Sequence, residues 1–462
     1  MKPKVGLMSF SESREDVFQR RKHIVENEVS KVVNALKDEL ELVYFNPVRF
    51  KDEALSCAQR MVAEEVHLVV FHIPLWSSPS LVAISASYIK KPFIILGNER
   101  AEGLVPFLAV AGSLDQIGIK HKRILGDISK PEIRDTVISY CRVASVISQL
   151  RGQTYGYFGG RSLGMYTAVA DLSQWQRLFG IDIEHIDQAE IIRLAETISH
   201  AKLDKHLNWF SEKVKKVVYN ADTFTKAKLE KQLRSYLALR ELVRKLKLDF
   251  IGLKCQTELS DHYVVQCIPV ALMNDPYDAD GPKEPIVCAC EADCDGALTM
   301  QILKLLSGGK PTTLMDIRLI NKQDGTIVLT NCGGLPTYFA KYSDEPEENL
   351  KHVYLEGNIA GQAGGGTTQF ICGPSPVTLA RLCRRAGKYW MAIMKGKFIE
   401  KSREELKGTY WPWPHAFLKI DINFDEFVNT YASNHIHAVV GDYGSELIEL
   451  CKLLDIDYKL YC

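Results

Sequence analysis

Three acids follow an apolar run with little warning: Pro285-Ile286-Val287-Cys288-Ala289-Cys290 leads into Glu291, Asp293 and Asp295, then Gly296. The run reads as a short buried strand, and Ala297 to Leu306 reads as a helix with apolar residues at helical spacing. In an α/β sheet the carboxyl ends of strands are where ligands sit, so acids placed there are candidates for chemistry. A second strand-like run, Thr312-Thr313-Leu314-Met315, ends in Asp316. Two buried-strand exits carrying carboxylates suggest a divalent-metal site built of oxygen ligands. One histidine of Asn434-His435-Ile436-His437 would complete a Glu/Asp/His set with positions left open for substrate. Nothing local separates His435 from His437, and helix capping is an alternative use for Glu291 and Asp316.

The elements that must hold these residues belong to a long chain. Its 462 residues exceed one ordinary core, so several domains are expected. Over the first 150 or so residues, strands near Val5–Met8, Leu42–Phe45, His67–His72 and Pro92–Leu96 alternate with helices. That order predicts a parallel sheet wound on both faces, a domain of residues 1–153. A second doubly wound domain, residues 154–308, opens with Thr154–Phe158 and the glycine segment Gly159-Gly160-Arg161-Ser162-Leu163-Gly164. Those glycines would let backbone approach a ligand, but the segment is neither a dinucleotide fingerprint nor a P-loop. Beyond Gly309, strand-like runs broken by Gly and Pro predict a β-rich domain over 309–462. The fold class is α/β: two doubly wound parallel-sheet domains followed by a β-rich one.

Lys and Arg total 57, as do Asp and Glu, which argues against nucleic acid or anionic membrane as a partner. The opening residues Met1–Met8 hold too short an apolar run for a signal peptide, and no stretch of about 18 apolar residues spans a bilayer. Twelve scattered cysteines fit reduced thiols in a cytoplasmic enzyme. Cys288, Cys290 and Cys294 lack the spacing of a zinc knuckle.

Taken in order, Pro285–Asp293, Met315-Asp316-Ile317-Arg318 and Ser433-Asn434-His435 resemble the L-fucose isomerase group of the L-fucose/L-arabinose isomerase-like proteins. The similarity extends to Pro74-Leu75-Trp76, Gly159–Met165, Gly252-Leu253-Lys254-Cys255-Gln256, Gly364-Gly365-Gly366 and Tyr410-Trp411-Pro412. The resemblance implies a Mn²⁺-dependent aldose–ketose isomerase, with Co²⁺ or Mg²⁺ as substitutes. It makes Glu291, Asp316 and His435 the metal ligands and the two carboxylates the acid/base pair. It places Arg161, Ser162, Lys254, Gln256, Thr367, Trp411 and Asn434 around a monosaccharide. Trp76 and Arg14 would help close a neighbouring subunit's pocket in a homo-oligomer, commonly a hexamer.

Lys254 stands where the fucose enzymes have glutamine, Arg161 where they have a small apolar residue, and Thr367 where they have tyrosine. Two added cations would suit an anionic substituent on a C6-modified hexose, sulfoquinovose among them. The competing readings are an L-fucose or D-arabinose isomerase, and a sugar-binding or regulatory protein without catalysis. No histidine lies between Asp316 and Lys351 to serve the arabinose-type metal set.

Overall fold

The computed structural model describes residues 2–45 and 47–462; Met1 and Asn46 lie outside the described residues. The chain separates into two compact units, residues 1–149 and 150–462.

In the first unit, five parallel strands stand in the order Glu41–Tyr44, Lys4–Ser9, Leu68–Ile73, Phe93–Gly97, Lys122–Leu125. The two central strands are buried along almost their whole length, as expected when helices cover both faces of a parallel sheet. Helix Glu15–Leu36 shows how the cover is attached: Val25, Val29, Val32 and Leu36 recur at three- and four-residue spacing and are buried. A core of Phe10, Phe71, Phe93, Ile95, Val110 and Leu114 fills another part of this unit.

The second unit holds two large sheets beside two small ones of two and three strands. Four parallel strands run in the order Cys288–Cys290, Phe250–Leu253, Thr154–Phe158, Asp182–Ile186. The other large sheet is antiparallel and closes on itself. Ser375–Arg385, His435–Val440, Thr313–Asn321, Thr326–Thr330, His415–Lys419 and Lys388–Phe398 pair in that sequence, and the last pairs back with the first. Closure removes free edges from those six strands. Asp457–Tyr461 adds a parallel seventh strand beside Lys388–Phe398.

One expectation is corrected here. Asp316 does not end a buried parallel strand; it lies inside the antiparallel strand Thr313–Asn321, directly opposite His435. The apolar start of that strand is buried, whereas the rest is half-buried apart from exposed Arg318 and Leu319, so the apolar run marked only part of the element.

Helix Cys294–Leu306 is buried on nearly every side because it packs on both sheets. Trp175, fully buried, ties the same layers together. It stacks near Tyr155 and Phe250 of the parallel sheet, and its indole N–H donates to Tyr389 Oη of the closed sheet at 2.9 Å. Trp175→Ala is expected to lower unfolding free energy by about 3–5 kcal/mol, read from urea denaturation, because it leaves a cavity and removes the donor to the Tyr389 hydroxyl.

Candidate active site

Strand Cys288–Cys290 gives way to helix Cys294–Leu306 within three residues, and the turn is unusual. Glu291 and Ala292 both take left-handed backbone conformations, φ 58° and 51°, without being glycine. Backbone strain of this kind persists only where surrounding structure enforces it, and it clusters at functional sites. Asp293 then caps the helix, its Oδ1 accepting from Gly296 N at 2.9 Å. Capping is therefore real, but Asp293 performs it and Glu291 does not.

The freed Glu291 meets two residues of the closed sheet. His435 Nε2 lies 3.2 Å from Glu291 Oε2 and 3.5 Å from Asp316 Oδ1. Asp316 reaches this point by strand register, since it sits across the ladder from His435. His435 is buried, and its Nε2 has no hydrogen-bond partner among the described residues. On its other side, Nδ1 lies 2.7 Å from Asp293 Oδ2. Asp293 is fully buried; burial would raise its carboxyl, but Arg381 and His435 outweigh that and hold it well below the usual carboxylate range. An ionised carboxylate only accepts, so Nδ1 carries a proton and Nε2 is the ring nitrogen that faces Glu291 and Asp316.

Burial by itself would favour neutral imidazole. The Asp293 and Glu291 carboxylates, with Asp316, reverse that and raise His435 to about 10. Asp316 is pushed up by burial, against the pull of His435 and Arg318. Three carboxylates around one imidazole make a cation site, at which a proton and a metal ion compete for the same nitrogen. A buried, unpartnered imidazole nitrogen beside two carboxylates fits a divalent ion of mixed nitrogen and oxygen preference.

A second group of ligand type, His206, Asp278 and Asp280, lies elsewhere in the same unit. Its acids are already engaged. Arg240 bridges Asp278 and Asp280, Lys205 holds Asp280, and the Tyr236 hydroxyl donates to Asp278. A divalent ion there would have to displace two cations. At Asp316 the single cation, Arg318, takes Oδ2 at 3.0 Å and leaves Oδ1 facing His435.

The remaining sequence candidates fall into three groups. Arg161, Ser162, Lys254 and Gln256 follow the parallel strands Thr154–Phe158 and Phe250–Leu253, on the same sheet edge as Glu291. Ser162 Oγ donates to Gln256 O at 3.5 Å. Lys254 Nζ is held 2.5 Å from Glu258, while the exposed Arg161 lies over the Tyr166 ring at 5.2 Å. Thr367 and Asn434 approach from the other side. Thr367 Oγ1 donates to Cys332 O, and Cys332 Sγ lies 3.6 Å from Cys290 Sγ, next to Glu291. Asn434 is exposed, and its carbonyl accepts from Ile317 N beside Asp316. Trp411 packs under the Arg403 guanidinium at 4.5 Å. Arg14 and Trp76 belong to the first unit, at the carboxyl edge of its own sheet. Arg14 is bound by Glu12 at 2.7 Å, and Trp76 is 45% exposed.

Asp293 stood among the three acids of the sequence reading without a role of its own, and Arg381 was missing from it. Arg381 was findable: an arginine amid Leu379-Ala380 and Leu382-Cys383 of an apolar strand must be paired if buried.

Two carboxylates and an imidazole thus meet between the end of the parallel sheet and the closed sheet, and comparison with known proteins shows the class to which the chain belongs: it is an aldose–ketose isomerase. Residues 2–152 match the first N-terminal domain of L-fucose isomerase, and residues 329–461 match its C-terminal domain. The chain belongs to the L-fucose isomerase-like family. An L-fucose isomerase of Vibrio vulnificus (strain YJ016) is 21% identical over 88% of this chain and 83% of its own length. One of Bacteroides fragilis (strain YCH46) is 25% identical over 87% and 82%. A sulfoquinovose isomerase of Priestia aryabhattai is 21% identical over 73% and 71%.

Gly252 makes the strained turn possible. A Cβ there would lie 2.0 Å from Tyr155 Oη and 3.0 Å from the Ala292 Cα. Gly252→Ala is expected to destabilise the chain by about 1–3 kcal/mol, seen by thermal unfolding.

Proposed function

We propose that this chain is a divalent-metal-dependent isomerase of a hexose or C6-modified hexose, acting through a cis-enediolate. The observation that carries this reading is the meeting of Glu291 and Asp316 at the unpartnered Nε2 of buried His435. Glu291, Asp316 and His435 would hold the ion, Mn²⁺ in preference to Mg²⁺ because an imidazole joins the carboxylates. When bound, it supplies Lewis acidity to adjacent sugar oxygens as negative charge develops on them.

The chain's own groups do the rest. Moving a carbonyl from C1 to C2 takes a proton from one weakly acidic carbon and returns one to its neighbour. Asp316, raised by burial, is suited to accept a proton. Glu291 enters from the strained turn and provides the partner carboxylate for the return. Arg318 fixes Asp316 from behind, its guanidinium lying 5.0 Å from the Tyr410 ring and 5.3 Å from that of Trp413. Asn434, Thr367 and Gln256 are assigned to sugar hydroxyls. Arg14 and Trp76 are assigned to the pocket of a neighbouring copy in a homo-oligomer.

For the sugar, Arg161 is the better anion handle of the two cations, because Lys254 already holds Glu258. A charge-assisted hydrogen bond supports discrimination on the order of tenfold. Arg161→Gln should therefore lower kcat/KM about tenfold more for sulfoquinovose than for neutral L-fucose; equal losses would remove the anionic preference from this reading.

Chelation should abolish ketose formation and added Mn²⁺ should restore it. Glu291→Gln and Asp316→Asn should each lower kcat by about 10²-fold or more while leaving the fold intact by circular dichroism. Solvent deuterium should appear at C2 of recovered aldose. Full activity in either variant, or aldose recovered without deuterium after turnover, would count against the proton-transfer assignment.

A further inference from the structure

We propose that Asp293 is the positioning residue of the metal site, clamped by Arg381 so that His435 presents Nε2 to the ion. This inference rests on the metal-site reading above and goes one layer behind it.

Asp293, Arg381 and His435 are all buried to within 1% of complete, yet each carries a polar or charged group. Both Asp293 oxygens are spoken for. Oδ2 takes His435 Nδ1 and an Arg381 N–H, while Oδ1 takes the second Arg381 nitrogen at 3.0 Å and the Gly296 amide at 2.9 Å. A fork-to-fork pair with an amide added leaves the carboxylate one orientation. Arg381 is fixed in turn: it donates to Thr167 O at 2.8 Å, and NH1 contacts His437 Nε2 at 3.0 Å. His437, the residue two places on from the proposed ligand, thus serves the clamp and not the ion.

The clamp also joins the two sheets that supply the ligands. Glu291 comes from the end of the parallel sheet, while Asp316 and His435 come from the closed sheet. Asp293 starts helix Cys294–Leu306, and Arg381 sits in strand Ser375–Arg385 of the closed sheet. Two residues on, a second pair repeats the pattern: Asp295 accepts from Arg384 Nε and from the Tyr389 hydroxyl, both at 2.8 Å. That second pair joins the same elements but does not touch His435. It therefore separates the two things Asp293 does, sheet joining and imidazole orientation.

The test is Mn²⁺ affinity by isothermal titration, together with the rise in unfolding temperature on adding Mn²⁺. Asp293→Asn keeps the shape and the helix cap but offers a weak, ambiguous acceptor to Nδ1. It should weaken Mn²⁺ binding about 10–100-fold, the usual effect of losing an imidazole's outer partner. Asp295→Asn should lower stability and leave Mn²⁺ affinity unchanged. The double variant Asp293→Asn, Arg381→Gln removes charge and counter-charge together, so it folds even where a lone buried guanidinium would not be tolerated. It should show the same weakened binding. In the unaltered protein with Mg²⁺, ¹⁵N-histidine spectra should show His435 protonated on Nδ1. Unchanged affinity in a folded Asp293 variant, equal losses in the Asp293 and Asp295 variants, or a proton on Nε2 would each overturn the proposal. No Mn²⁺ binding by the unaltered protein would instead sink the metal-site reading beneath it.

Discussion

The site depends on a single unsatisfied nitrogen. His435 Nε2 is buried, faces two carboxylates and has no hydrogen-bond partner among the described residues. Burying a polar atom in that state is unfavourable unless something completes it, and the groups around it can be completed only by a cation. Much of what surrounds it follows from that requirement. Asp293 fixes the proton on the far side of the ring, and the left-handed turn at Glu291 and Ala292 brings in one carboxylate. Strand register brings in the other. None of these features would be favoured for its local stability.

The architecture explains why two kinds of sheet are present in the second unit. A parallel sheet delivers short loops to one edge, and Glu291, Lys254 and the glycine segment all lie in such loops. An antiparallel ladder instead places residues from distant parts of the chain directly opposite each other, as it does for Asp316 and His435. Helix Cys294–Leu306, packed against both, is the part that relates one arrangement to the other. Its first turn carries Asp293 and Asp295, and both find arginines on a single strand.

Much of this was legible in the sequence. The β-α alternation of the first unit and the strand-rich C-terminal portion could be read from apolar runs and breakers. Glu291, Asp316 and His435 could be read because their neighbours resemble a known family. What stayed hidden was conformational. Glutamate and alanine carry no mark of a left-handed backbone, so nothing in Glu291-Ala292-Asp293 revealed that the first acid turns toward the ion site while the third caps the helix. Asp316 was misplaced at a strand end because the buried apolar run stops at Met315, while the strand continues through half-buried and exposed residues to Asn321. For Lys254, pairing with a local acid was the alternative to binding an anionic sugar, and Glu258, four residues on in helix Glu258–His262, is that acid.

His435 contributes its ring from a strand only a few dozen positions before the chain's last residue, while Glu291 and Asp316 precede it by well over a hundred. During synthesis the early carboxylates are therefore made long before the imidazole that must join them. Contacts of such sequence separation form late and slowly, since loop closure precedes any gain from pairing. Glu291, Asp316 and His435 therefore come together only when strand His435–Val440 pairs with Thr313–Asn321, so the site is assembled by one of the last long-range pairings of the closed sheet.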